Sequence, residues 1–311
     1  MKRLAALTGG TGFLGRHVIR ELADQGWAVR ILARTQPELP ELSDVEIELT
    51  PGDLSDHDAL KALAQGADAF IHIAGVVKAK NCNDFMRANK NGAERAARAW
   101  AQTTVGGRFL LISSMAARAP ELSHYAASKH AGELAVAKAL EGRDWRILRP
   151  GAIYGRFDQE SLKVLQLSNA PVQLMLNAPA ARVAMVDARD AARAIVATAQ
   201  DQDIGAIHEI SDAQLAGYRW DELAGIAAKA LGKHARPVRL PAAVLKGIGG
   251  IGGAIAGITG GVEMLTPGKV REILHQDWSV QSPLPETLYQ PLIPLEQGLR
   301  EMAEASGLLS R

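Results

Sequence analysis

Two side chains at helical spacing carry the first hint of chemistry in this 311-residue chain, in the run Tyr125-Ala-Ala-Ser-Lys129. Residues four apart lie one turn above each other on one helix face. An ammonium so placed stabilises a phenolate. A free tyrosine titrates near ~10, and drawing it down by ~3 units takes about 4 kcal/mol, at ~1.36 kcal/mol per unit. A close cation in a partly dry site supplies energy of that order. Such a tyrosine gives up its proton as a general acid, or takes one as a base. Two residues on a helix are a weak motif alone, and a solvated Tyr and Lys fit the same spacing. The position, after an apolar strand and at the head of a long helix, gives the pair its weight.

The second feature is a glycine loop. Leu4–Thr8 runs straight into Gly9-Gly10-Thr11-Gly12-Phe13-Leu14-Gly15. Glycine turns the chain sharply from strand to helix with little strain. Missing side chains let the backbone approach a pyrophosphate, and the helix N-terminus offers it free N–H groups and a positive dipole end. The last glycine permits close packing of helix on strand. Strand, loop and helix in that order favour a dinucleotide cradle over a plain turn.

These features need a frame. Strands are expected at Leu4–Thr8, Ala28–Ala33, Val45–Leu49, Ala69–Ala74, Phe109–Ser113 and Trp145–Leu148. Helices are expected at Phe13–Gln25 with Gly26 as its cap, at Ser55–Gln65 opening on a Ser55/Asp58 capping box, near Asn89–Gln102, and at Tyr125–Leu140. Alternation at this pitch implies βαβ units and a parallel sheet. Most of the apolar runs are continuous, as in strands covered on both faces. Val45–Leu49 alternates with Glu46 and Glu48 and is expected near an edge. The fold class is therefore α/β: a Rossmann doubly wound parallel sheet with a smaller, mainly C-terminal substrate domain. The dinucleotide-binding domain is assigned to 1–150, with 183–212 rejoining it, and the substrate region to 151–182 and 213–311.

Thr8-Gly-Gly-Thr-Gly-Phe-Leu-Gly15 and Tyr125-x-x-x-Lys129 together resemble the extended short-chain dehydrogenase/reductases, the superfamily of NAD(P)-dependent epimerases and dehydratases. Arg149-Pro150-Gly151-Ala-Ile-Tyr154-Gly155 and Val186-Asp187-Ala-Arg-Asp190 resemble that family's segments leaving and re-entering the sheet. The resemblance implies that Gly9, Thr11, Gly12, Phe13, Leu14 and Gly15 hold the cofactor. It implies that Asp53 and Leu54 lie against the adenine and that Ala74 lines the nicotinamide ribose. It gives Lys129 a second task on that ribose, and makes Ser114, with Ser113 as fallback, the group that bonds the reacting oxygen. Asn89, read as the start of a helix, would hold a backbone bend and a relay water. Each of these residues also has a plain structural reading as turn, packing residue or cap.

The cofactor expectation rests on the end of the second strand. NAD sites of this kind place an acid about 20 residues past the loop for the ribose 2′-OH. Here Ala33-Arg34 stands there. A guanidinium suits a 2′-phosphate, and Arg16 could help. NADP(H) is expected, with NAD(H) as the alternative.

The remaining features bound the function. Net charge is +1, from 35 basic and 34 acidic side chains. That argues against a nucleic-acid partner. The lone Cys82 suits a reducing compartment, and no metal site is expected. Leu4–Leu7 is too short for a signal peptide's apolar core, so a cytoplasmic location is the default. Gly247–Val262 holds eight glycines and no charge. It is shorter than the ~20 residues of a membrane span. With Leu174–Leu176 it hints at a hydrophobic small-molecule substrate. Helix-pair dimers are common in the family, and the resemblance therefore implies a homodimer.

The expected activity is reduction of a carbonyl, or oxidation of a secondary alcohol, with Tyr125 as acid/base. Two alternatives remain: a NAD-dependent nucleotide-sugar epimerase or dehydratase, and a non-catalytic NAD(P)-binding protein. Met115-Ala116 after Ser114, where dehydratases tend to carry Asp-Glu, argues against part of the first. Arg34 predicts that NADPH binds more tightly than NADH in a direct titration. Equal affinity, or tighter NADH, would contradict it.

Overall fold

The computed structural model describes residues 2–103, 106–168, 173–201, 207–233, 237–241 and 266–309. Its largest sheet contains β1 (Leu4–Thr8), β2 (Ala28–Ala33), β3 (Ile47–Pro51), β4 (Ala69–His72), β5 (Arg108–Ile112), β6 (Trp145–Pro150) and a late strand, Ile207–Ile210. Numbered along the chain, the first six stand in the order 6-5-4-1-2-3, with the late strand outside β6. Neighbours among those six pair in parallel. The order reverses between β1 and β4, the place where doubly wound sheets open a crevice at their carboxyl ends.

The helices interleaved with the first six strands are α1 (Phe13–Asp24), α2 (His57–Ala64), α3 (Cys82–Phe85), α4 (Gly92–Thr103) and α5 (His124–Ala139). Burial explains why the strands are continuously apolar: every residue of β4 and β5 is buried. β3 is the outermost strand on its side, as its alternating pattern led one to expect. The core beside α2 and α4 gathers Phe70, Trp100, Phe109, Leu60 and Leu63. Phe70 stacks on Phe109 at 5.2 Å and meets Trp100 edge-on at 5.9 Å.

Several boundaries differ from the sequence reading, each for a local reason. β5 begins at Arg108, because its buried guanidinium donates to Asp144 at 3.0 and 2.9 Å and to the Thr198 carbonyl at 2.6 Å. β3 runs two residues later than expected. Val45 is spent on a turn to the Leu42 carbonyl, and Pro51 ends an edge strand where its missing N–H is tolerated. α2 is capped by Asp56, whose carboxylate accepts from the Ala59 amide at 3.0 Å. Ser55 is not its cap, because its hydroxyl and amide both turn to Asp53.

The helix expected near Asn89 starts much earlier. Asn81 caps α3, accepting from the Asp84 amide at 3.0 Å. A π-helical turn, Met86–Asn91, then joins α3 to α4. Asn89 is therefore an interior residue of a widened helix, not an N-cap.

The chain divides into two compact units. The first comprises Met1–Arg149, Ala192–His208 and Leu284–Tyr289, and the second Pro150–Ala191, Glu209–Pro283 and Gln290–Arg311. Among the described residues the second contains more strands than its sequence suggested: two two-stranded sheets and one of three strands. These strands are two to five residues long, too short to show a period. Its core holds Tyr154, Leu165, Leu231, Leu299 and Met302. The Asp190 carboxylate there accepts from the amides of Leu292 and Ile293, at 3.1 and 3.0 Å. Gly247–Val262 lies outside the described residues.

Trp100 is 1% exposed at the centre of the first core. Trp100→Ala should therefore lower unfolding free energy by about 3–5 kcal/mol in chemical denaturation. A loss below about 1 kcal/mol would mean that this cluster does not hold the first unit.

Candidate functional site

The glycine loop follows β1 at the carboxyl end of the sheet. Gly9 has φ +76°, and a side chain there would meet the Ala74 amide nitrogen at 2.7 Å. A Cβ on Gly15 would come within 2.1 Å of the Gly9 carbonyl and 2.7 Å of the Gly10 Cα. The Gly12 amide closes the turn on the Gly9 carbonyl at 3.1 Å. No side chain caps α1, so its first N–H groups remain for an anion. A dinucleotide pyrophosphate fits this bare backbone. Thr11 is exposed and Phe13 half-buried. Leu14 is buried in the core, which leaves only its backbone amide to face a phosphate.

Arg34 stands exposed at the end of β2. Beyond the β3 end, the Asp53 carboxylate accepts the Ser55 amide at 2.7 Å and the Ser55 hydroxyl. Those bonds hold it below the usual carboxylate range, with the Arg34 charge as a lesser cause. Arg16, the expected helper, is engaged with Glu41 at 2.7 Å and with the Thr11 carbonyl at 3.2 Å. Leu54 packs where a Gly92 side chain would sit.

A chain of contacts leads from the loop to the tyrosine helix. Gly9 touches Ala74. A Cβ on Gly75 would lie 2.9 Å from Asn89 Oδ1 and 3.9 Å from Lys129 Nζ. Asn89 clamps the intervening backbone: Oδ1 accepts from the Val76 amide at 2.8 Å, and Nδ2 donates to the Val76 carbonyl at 3.0 Å. Nδ2 also donates to Ser128 Oγ at 2.9 Å.

The tyrosine helix α5 is capped by Ser123, whose Oγ accepts from the Ala126 amide at 2.9 Å. Tyr125 is half-buried, with its ring 6.2 Å from Phe85. The Lys129 ammonium donates to the Ile112 carbonyl at 2.7 Å, which ties α5 to the β5 end. Burial lowers the Lys129 pKa to about 8, against an opposing pull from Glu133.

The serine pair divides its work. Ser113 is buried and donates its hydroxyl to Glu133 Oε1 at 2.5 Å. Ser114 is half-buried, and its Oγ accepts weakly from the Ala116 amide at 3.2 Å. Its hydroxyl proton remains to be donated.

Glu133 and His72, neither singled out by the sequence, border this site together with Arg149. Glu133 is 3% exposed and grips Arg149, which donates Nε to Oε1 at 2.9 Å and Nη2 to Oε2 at 2.5 Å. Glu133 extends the four-residue spacing of Tyr125 and Lys129, and that spacing was its available signal. His72 ends β4 with Nδ1 2.8 Å from Thr8 Oγ1. Burial, then the Lys129 charge, pushes His72 down to about 3, so it stays neutral. Among the described residues no group of three His, Cys, Asp or Glu could hold a metal ion. None of their helices is long and apolar enough to cross a membrane.

Comparison with known proteins bears on this arrangement. Residues 5–211 match the model of the NAD dependent epimerase/dehydratase family. The chain is 43% identical over 279 residues to the ceramide reductase of Caulobacter vibrioides, covering 90% of this chain and 86% of that protein. It is 32% identical over 172 residues to a putative dihydroflavonol 4-reductase of Synechocystis, about half of either chain. Among solved structures, Thermotoga maritima UDP-glucose 4-epimerase with UDP-glucose superposes at a TM-score of 0.72 and 15% identity, over 98% of this chain and 99% of that one. At that identity the likeness is one of fold alone.

His72 generates an acid-stability prediction. Its folded pKa of about 3 lies below the 6.5 of a free histidine. Between those values the unfolded chain binds the proton that the folded chain refuses, so stability falls as pH falls. His72→Asn should flatten the decline of unfolding free energy from pH 6.5 to pH 3 relative to the parent. Parallel curves would contradict the buried, neutral assignment.

Proposed function

The chain belongs to the NAD-dependent epimerase/dehydratase family and is an NAD(P)-dependent oxidoreductase; on that premise we propose that it is an NADPH-dependent reductase of a carbonyl on a ceramide-type lipid. The observation that carries this reading is the 43% identity to a ceramide reductase over nine-tenths of the chain. A ceramide bears a secondary alcohol beside its amide-substituted carbon. The ketone at that position is the form that a reductase of this class would accept.

The glycine cradle binds the pyrophosphate through backbone N–H groups, and Arg34 takes the 2′-phosphate. Asp53 and Leu54 flank the adenine, and Ala74 flanks the nicotinamide ribose. Bound NADPH supplies the hydride. Ser114 donates a hydrogen bond to the carbonyl oxygen, while Ser113 is held on Glu133. Tyr125 Oη delivers the proton to that oxygen as negative charge builds there. Lys129, anchored on the Ile112 carbonyl, keeps positive charge beside the tyrosine and holds the ribose hydroxyls. Asn89 fixes Val76 and with it the backbone that borders Ala74.

The purified protein should oxidise NADPH when given the keto form of a ceramide in mixed micelles. Tyr125→Phe should lower turnover by roughly 10²–10⁴-fold, the usual worth of a general acid, while NADPH still binds within a few-fold of the parent. A variant as active as the parent, or epimerisation of a UDP-hexose without net cofactor oxidation, would overturn the reading.

A further inference from the structure

The residue that the acid/base chemistry leaves unexplained is Glu133. A carboxylate so fully buried is costly unless it is paired. Here it is paired twice: with both faces of the Arg149 fork and with the Ser113 hydroxyl. Tyr125, Lys129 and Glu133 follow one another at four-residue steps along α5, on a single helix face. The partners of Glu133 come from two neighbouring strand ends, Ser113 just beyond β5 and Arg149 in β6. Lys129 is tied to Ile112, the residue before Ser113. The carboxylate thus cannot swing away: a strand-end serine and an arginine fix it one turn below the lysine.

We propose that Glu133 is a positioning residue for the Tyr125–Lys129 pair, a fixed negative charge that holds the pair's protons in place and, by drawing in the Ser113 hydroxyl, leaves Ser114 alone to face the substrate oxygen. This inference rests on the acid/base reading of Tyr125 and Lys129. Charged and titratable groups near the pair among the described residues include His72 at the end of β4, His124, His130 and Glu133 on α5 itself, and Arg149 on β6; the His130 ring lies 3.1 Å from the Ala117 carbonyl. His72 is neutral at working pH. Arg149 is cationic and opposes Glu133. Glu133 is a carboxylate whose charge favours the protonated form of Lys129 against the effect of burial.

The consequence has a definite sign. Removing a nearby negative charge lowers the pKa of both Tyr125 and Lys129, whichever loses its proton first. Glu133→Gln should move the alkaline limb of kcat/KM for carbonyl reduction to lower pH by roughly one unit, the size a charge at short range produces. Glu133→Asp should restore part of the shift. Glu133→Gln takes the opposing charge away from half-buried Arg149, which threatens folding, so Glu133→Gln/Arg149→Met is the second variant. It should shift the limb in the same direction by a smaller amount.

Ultraviolet-difference titration of tyrosine ionisation in the cofactor-free protein, each protein read against its Tyr125→Phe form, follows the same pair without turnover. It should show Tyr125 ionising at lower pH in both Glu133 variants. A limb and a titration unmoved in either folded variant would overturn the proposal, even if kcat falls, because a purely structural residue lowers amplitude without moving the pKa. If Tyr125→Phe itself retains turnover, the acid/base reading fails instead, and the two failures are told apart.

Discussion

The architecture turns on the contact between the bare backbone of the glycine loop and the end of β4. Gly9 sits against Ala74 so closely that any side chain would collide with the Ala74 amide. Gly15 sits against Gly9 more closely still. These approaches put the start of α1 beside the crevice where the strand order reverses. They also fix where the chain beyond β4 can run. Asn89 takes hold of that segment at Val76 and passes the constraint on to α5 through Ser128. The cradle and the tyrosine helix are therefore held at one place by close backbone packing at Gly9 and Gly15 and by the buried Asn89 side chain.

On the far side, α5 is tied to the sheet by polar bonds made at strand ends. Lys129 bonds Ile112, Ser113 bonds Glu133, and Glu133 bonds Arg149. Polar groups this deeply buried are tolerated because each finds a partner. Ser114 and Tyr125 remain only half-buried beside this buried network. Desolvation weakens the hold of Lys129 on its proton while Glu133 strengthens it. That balance puts its pKa near the range where proton transfer is useful.

Much of this frame was legible in the sequence. β1 and β2 lie where the continuous apolar runs stood, and α1 ends at Asp24, with Gly26 just past its C-cap at φ +77°. Those signals are local: glycine at a positive φ and an apolar run buried on both faces. The errors arose where a tertiary partner overrode local preference. Arg108 looked like a strand boundary until Asp144 and Thr198 accounted for its charge. Asn89 looked like a cap because it precedes a helical stretch, and the π turn that makes it interior leaves no mark in composition. Ser55 looked like a cap, but its neighbour Asp56 took that role. The short strands of the second unit carried too few residues to show a period. Glu133 had the right spacing, but nothing in the sequence said that Ser113 and Arg149 would converge on it.

In the proposed reaction, hydride passes from NADPH to a lipid ketone while Tyr125 supplies the proton. The most direct measurement is mass analysis of the lipid product after incubation with NADPH deuterated at the transferring position of the nicotinamide. The expected product is a secondary alcohol heavier by a single deuterium on the carbinol carbon, formed far more slowly by the tyrosine variant than by the parent. An unlabelled product, or recovery of the ketone unchanged while the protein remains folded and NADPH-bound, would contradict it.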